Sequence, residues 1–200
     1  MKDIKIILNE ALEVLRAGGV ILYPTDTVWG IGCDATSPEA VRKVFAIKRR
    51  DDSKSLVLLA SDLDMVARYV RQVPSMAVDL VEVNDAPMTI IYPEGLVSAE
   101  GKPDRRRLAP ETVAEDGSVG IRIPMMAFCR DLAFKLGRPL VSTSANISGE
   151  PTPASFREIS GEIRSAVDYT VPSFLEKSST GKASQIIKVG YGGEIAIIRK

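Results

Sequence analysis

Histidine is absent from this 200-residue chain, and its absence removes much chemistry at once. Ser-His-Asp and Cys-His nucleophilic catalysis cannot operate, and neither can a histidine general base. A Cys/His zinc site is excluded as well, because the two cysteines, Cys33 and Cys129, stand far apart and outside metal-ligand spacing. The same scarcity makes a disulfide framework unexpected. Net charge is also missing: 26 Lys and Arg balance 26 Asp and Glu, so tight sequence-independent binding of RNA or DNA is disfavoured, although a local basic patch is compatible with balance. No apolar run approaches the ~18 residues of a membrane span, and Met1–Lys5 lacks the apolar core of a signal peptide. The expected location is cytoplasmic, without membrane association. Nothing fits the spaced Gly-Lys-Ser pattern of a P-loop. Any catalysis must therefore rest on lysine, arginine, hydroxyls, carboxylates and a bound metal.

What is present is enough for a core. With 45% hydrophobic residues, residues 1–200 are expected to form a single globular domain. Apolar residues at helical spacing predict a helix over residues 4–17, ended by Gly18-Gly19. A buried strand over 20–23 follows and stops at Pro24. Ser37 and Pro38 start a helix that runs to about Lys48. Strands are expected at 56–60, 88–92, 119–123 and 140–143. Helices are expected at 63–70, 74–81, 126–136 and 154–163, and a hairpin-like pair at 186–189 and 195–199. Helices alternate with strands, but the late hairpin and uneven spacing argue against a purely parallel sheet. The fold class is therefore α/β, a twisted mixed sheet flanked by helices. Residues 94–118 form one long irregular segment, of the kind that usually serves as a lid or flap; its Arg105-Arg106-Arg107 run reads as solvated surface.

Five segments carry candidate chemistry. In Tyr23-Pro24-Thr25-Asp26-Thr27-Val28-Trp29-Gly30-Ile31-Gly32, a strand runs into hydroxyls, a carboxylate and glycines that let backbone approach a ligand closely. A β-turn with a capping aspartate is the alternative reading of this segment alone. Lys48-Arg49-Arg50 could bind an anion or simply complement a helix dipole. Gly120-Ile121-Arg122-Ile123-Pro124 sets one arginine on the strand face opposite two isoleucines. Ser142, Ser144 and Asn146 project to one side if the strand through Leu140-Val141 continues. Gly181-Lys182-Ala183-Ser184-Gln185 turns into a further strand.

In this order and spacing the segments resemble the YrdC/Sua5 family of L-threonylcarbamoyladenylate synthases, over nearly the whole chain. The resemblance implies the YrdC-like fold. It also implies ATP-dependent condensation of L-threonine with bicarbonate or CO2, with release of pyrophosphate, to supply the threonylcarbamoyl group of a tRNA adenosine. It places ATP at Lys48, Arg50, Lys54, Ser118, Ser144, Asn146, Thr152 and Arg199, with Lys48 and Arg50 neutralising charge in the reaction. It places threonine at Thr27, Arg122, Ser142 and Ser184. It further implies Mg2+ with no protein ligand named, downstream tRNA threonylcarbamoyl-transfer proteins as partners, and at most weak tRNA binding. The chain departs from the family at Trp29 (usually tyrosine), at Asp85-Ala86-Pro87, at Lys54-Ser55-Leu56 and at Gln185. The alternative is a non-catalytic module for double-stranded RNA or tRNA.

Overall fold

The computed structural model describes residues 3–49, 56–99 and 102–200. Helix α1 (Ile4–Arg16) is capped by Asp3, whose carboxylate accepts from the Lys5 N–H at 2.9 Å. Its buried stripe is Ile7, Leu8, Ala11, Leu12 and Leu15, the 3.6-residue period of the sequence. Strand β1 (Ile21–Pro24) keeps Pro24 as its last residue and turns back onto an antiparallel β2 (Trp29–Gly32), pairing Tyr23 with Gly30. Sequence reading missed β2, because glycine is a poor strand former. Gly32 instead serves packing: a Cβ there would lie 2.4 Å from the Val141 carbonyl and 2.7 Å from the Tyr23 ring.

Helix α2 (Pro38–Lys48) starts at Ser37, which accepts from the Ala40 N–H, and ends with Arg49 in the left-handed region at φ 48°. Strand β3 (Val57–Leu59) leads to α3 (Leu63–Tyr69), capped by Asp62, to α4 (Ser75–Val83) and to β4 (Met88–Tyr92). Strand β5 (Val119–Arg122), α5 (Ala127–Leu136) and β6 (Leu140–Ser144) follow, with Gly137 at φ 75° closing α5. The helix expected over 154–163 is broken. A 3-10 turn (Phe156–Glu158) precedes α6 (Gly161–Ala166), because Ser160 is extended and caps the second piece by accepting from the Ile163 N–H. A two-residue strand β7 (Tyr169–Thr170) and the hairpin of β8 (Gln185–Val189) and β9 (Ile195–Arg199) complete the sheet.

Among the described residues, nine strands lie in the order β7-β1-β2-β6-β3-β5-β4-β8-β9. Pairs β1–β7, β3–β5 and β4–β8 are parallel and the others antiparallel, which is the mixed sheet expected. Leu58, Ile90, Ile121 and Val141 are fully buried. Their strand neighbours therefore face the opposite side of the sheet. The described part of segment 94–118 is tied down and not free like a flap. Leu96 N bonds Tyr69 O, Leu108 N bonds Leu96 O, and Ala109 N bonds Ala35 O, each at 2.8 Å, while Leu108, Ala109 and Thr112 are buried. Arg105, Arg106 and Arg107 are exposed, as expected.

Candidate active site

One face of the sheet carries a cavity of about 360 Å3. Its lining follows the two-residue period of the strands: Thr89 and Ile91 on β4, Ser118, Gly120 and Arg122 at β5, Ser142 and Ser144 on β6, Ser184 and Ile186 at β8. Register explains the alignment, since Val57 pairs with both Ser142 and Gly120, and Gly120 with Ile91. The site thus lies across the sheet face and not only at strand ends. Thr25, Thr27 and Trp29, from the turn and strand after β1, form one wall.

Arg122 is 4% exposed. Its Nη1 pairs with Asp26 Oδ1, and its Nη2 donates to Thr27 Oγ1 at 3.2 Å. Asp26 is fixed in turn, with its Oδ2 accepting from the Met125 N–H at 2.8 Å. The Nε–H of Arg122 is buried with no hydrogen-bond partner among the described residues. An unsatisfied donor on a buried cation is costly unless something else supplies an acceptor. Around it stand hydroxyls. Thr27 Oγ1 bonds Thr25 Oγ1 at 2.8 Å, and Thr89 Oγ1 bonds Ser184 Oγ at 2.8 Å.

Of the expected site residues, Thr27, Arg122, Ser142, Ser184, Ser118, Ser144, Thr152 and Arg199 all line this one cavity. Arg199, expected at the nucleotide, lies directly against Ser184, expected at the amino acid, and its Nε donates to the Ser184 carbonyl at 2.9 Å. Lys48 is not among the lining. It is 2% exposed, and its ammonium donates to the carbonyls of Ser144 and, at 2.7 Å, of Asn146. It stands behind the loop that follows β6. The Asn146 amide donates to the carbonyls of Ile147 and Glu150, leaving its buried Oδ1 without a partner among the described residues. Arg50 and Lys54 lie outside the described residues.

Reading the sequence missed three participants. Asp26 stands in the Thr25-Asp26-Thr27 motif, but nothing in that motif marks it as the counter-ion of Arg122. Thr89 had a signal, a lone hydroxyl inside the apolar Met88–Tyr92 strand. Glu176, which accepts from the Trp29 indole at 2.5 Å, lies in a polar segment that offered none.

Burial first, and then the nearby Cys129 thiol, pushes the Tyr23 phenol well above its usual range. It therefore stays protonated behind Ser142 and serves as no base. Asp116, beside Ser118, is held well below the usual carboxylate range by hydrogen bonds from Lys188 and then from the Ser118 hydroxyl. The described cavity lining contains hydroxyls and guanidinium groups but no carboxylate. Among the described residues no group of three or more His, Cys, Asp or Glu could hold a metal. This donor set does not fit a protein-held Mg2+. It suits the oxygens of carboxylates and phosphates.

A family model described as "Telomere recombination", Sua5/YciO/YrdC, matches residues 13–200. The chain is 38% identical over 156 residues to a threonylcarbamoyl-AMP synthase of Stenotrophomonas maltophilia, covering 76% of this chain and 77% of that one. It is 31% identical to the threonylcarbamoyl-AMP synthase of Chromohalobacter salexigens, covering 88% and 94%. Among solved structures, E. coli YciO superposes with a TM-score of 0.74 at 24% identity, covering 100% of this chain and 91% of that one. Sua5 of P. abyssi complexed with L-threonine gives a TM-score of 0.74 at 22% identity, and the chain spans about half (52%) of its length. These two likenesses concern the fold, and the sequence matches carry the assignment: the chain belongs to the Sua5/YciO/YrdC family.

Proposed function

We infer that this chain is a threonylcarbamoyl-AMP synthase. It would join L-threonine, bicarbonate or CO2, and ATP into L-threonylcarbamoyladenylate and release pyrophosphate. Relatives at 31–38% identity bear that name. The observation that carries the reading to the site is the buried Arg122, whose Nε–H lacks a partner among the described residues, inside a hydroxyl-lined cavity. A carboxylate supplies the missing acceptor. Arg122 would bind the threonine carboxylate, and Thr27, Ser142 and Ser184 would frame its remaining polar groups. Ser118, Ser144, Thr152 and Arg199 would take the nucleotide, together with Arg50 and Lys54. Lys48 would act from behind, holding the backbone that presents Ser144 and Asn146.

The carbamate oxygen of N-carboxythreonine attacks the α-phosphorus, the bond to the β-phosphate oxygen breaks, and pyrophosphate leaves. Apposition of the two substrates is the main service such a site renders, since well-oriented neighbours can gain roughly 7–11 kcal/mol over free encounter. The contact of Arg199 with Ser184 supports such an apposition. Any Mg2+ would arrive with the triphosphate. The product would pass to proteins that transfer the threonylcarbamoyl group to tRNA, in the cytoplasm.

The test is pyrophosphate release from ATP by the purified protein. We expect release that requires both threonine and bicarbonate, with an adenylated product. Release at the same rate without threonine would sink the assignment.

A further inference from the structure

We propose that strand β9 is a dimerisation edge, to which a second copy of this chain adds its own β9 in antiparallel pairing. The proposal stands apart from the reading of the cavity. Among the described residues, β7 and β9 are the two ends of the sheet. The β7 end is two residues long and half-buried, which is one way an edge is blunted. Strand β9 is five residues long and exposed throughout, with Ile195, Ile197 and Ile198 at 47%, 61% and 57% exposure. Its backbone is aimed outward at alternate positions. The Gly190 N–H donates to the Glu194 carbonyl at 2.9 Å, so that opposed pair is hydrogen-bonded, and along the register so is Lys188 with Ala196. Ile195 and Ile197 fall between, opposite Val189 and Ile187. Their N–H and C=O groups therefore point away from β8, into the open edge.

A second copy meets that edge with matching groups. In an antiparallel pair centred on Ala196, Ile195 of each copy stands opposite Ile197 of the other, and both present their outward backbone groups in register for hydrogen bonding. Ala196 then lies against its own equivalent in the closely spaced, non-hydrogen-bonded position, where a small side chain fits. The Ile195 and Ile197 side chains of both copies share one face, the face on which Val189 is buried and Ile187 packs on the core. Charge points to the same partner. Glu194 stands at one end of the strand and Arg199-Lys200 at the other. Antiparallel pairing brings the acidic end of each copy beside the basic end of the other, whereas a parallel copy would set like charges together. The bulge at Ile198 confines the regular part of the edge to the residues before it. Such pairing leaves the cavity as it is, since Arg199 keeps its place opposite Ile186.

Sedimentation equilibrium of the full chain, with amide hydrogen exchange read residue by residue by NMR, tests the proposal without any substrate. We expect wild type to show a monomer–dimer equilibrium. The Ile195 and Ile197 amides should exchange more slowly as concentration rises, while the Ala196 amide, bonded to β8, is protected at every concentration. Ile197→Pro removes an outward N–H and no ladder bond to β8. It should be monomeric with unchanged circular dichroism, and Ile197→Lys should behave alike. Should the proline unsettle the hairpin, the lysine variant decides. Glu194→Lys should weaken the dimer about fivefold, the upper end for an exposed ion pair, and adding Lys200→Glu should restore it. Three results would overturn the proposal: a wild type that stays monomeric up to its solubility limit, a dimer that survives both substitutions of Ile197, or a dimer with fast exchange at Ile195 and Ile197. The first would leave the edge to a different protein. The other two would place the contact between copies on another surface.

Discussion

Each terminal nitrogen of Arg122 makes one hydrogen bond, to Asp26 and to Thr27, and its buried Nε–H has no partner among the described residues. A lysine would keep the charge but lose the planar fork that serves Asp26, Thr27 and a ligand together. Arg122→Lys should therefore weaken threonine by at least about tenfold, roughly the value of one charged hydrogen bond, and leave ATP binding without threonine close to wild type. Calorimetric titration with each ligand separates the two. Equal losses would place Arg122 in the phosphate site instead. At this scale the sequence was partly legible. Arg122, Ser142 and Ser144 follow from strand alternation, a local rule. Asp26 as the counter-ion was not legible, because its partner lies 96 positions away and no local pattern encodes such a pair. Lys48 was readable as a cation at a helix end, but the direction of its ammonium, onto the Ser144 and Asn146 carbonyls, depends on where β6 packs.

Strand β9 shows how an element can re-aim a side chain. Ile195 pairs with Val189 and Ile197 with Ile187, but Arg199 pairs with Ile186, so Ile198 is an extra residue in the ladder. Strict alternation would set Arg199 on the same face as Ile195 and Ile197. The bulge turns it instead to the face of Ile186, where both line the cavity. Deleting Ile198 should remove the bulge yet leave Arg199 opposite Ile186, still on the cavity face. ATP affinity, measured by calorimetric titration, should stay close to wild type in the deletion and fall about tenfold in Arg199→Ala, with the melting temperature little changed in both, as β9 is exposed along its length. A deletion variant as weak as Arg199→Ala would show that pairing with Ile186 does not aim the arginine. Most elements were legible from periodicity and caps. The strong stripe of α1, the serine at the start of α2 and the glycine after α5 are local signals. Strand β2 was hidden by its two glycines, β7 by its two-residue length, and the break before α6 by a serine that also fits a helix interior poorly but not impossibly.

For the whole molecule, the missing histidine shapes the response to pH. No side chain with an ordinary pKa titrates between roughly pH 5 and 8, so stability should be nearly flat there. Burial pushes the thiols of Cys33 and Cys129 well above their usual range. For these groups the folded pKa exceeds the unfolded one, near about 8.5. Their contribution is thus complete below that pH and is lost as pH rises above it, while the unfolded thiols ionise and the folded ones cannot. Urea midpoints measured from pH 5 to 10 should hold level and then fall above about 8.5; a peak near neutrality would contradict this. A further consequence concerns timing. The cavity draws on residues from Thr25 to Arg199, and β1–β7 and β4–β8 join distant stretches in parallel. Closing such long loops is slow compared with forming helices or hairpins. During synthesis, the segments carrying Thr27, Arg122 and Ser142 emerge before Ser184 and the hairpin that brings Arg199. In refolding, the recovery of ligand binding should accordingly trail the recovery of helical signal, and the pocket is the last thing this chain learns to make.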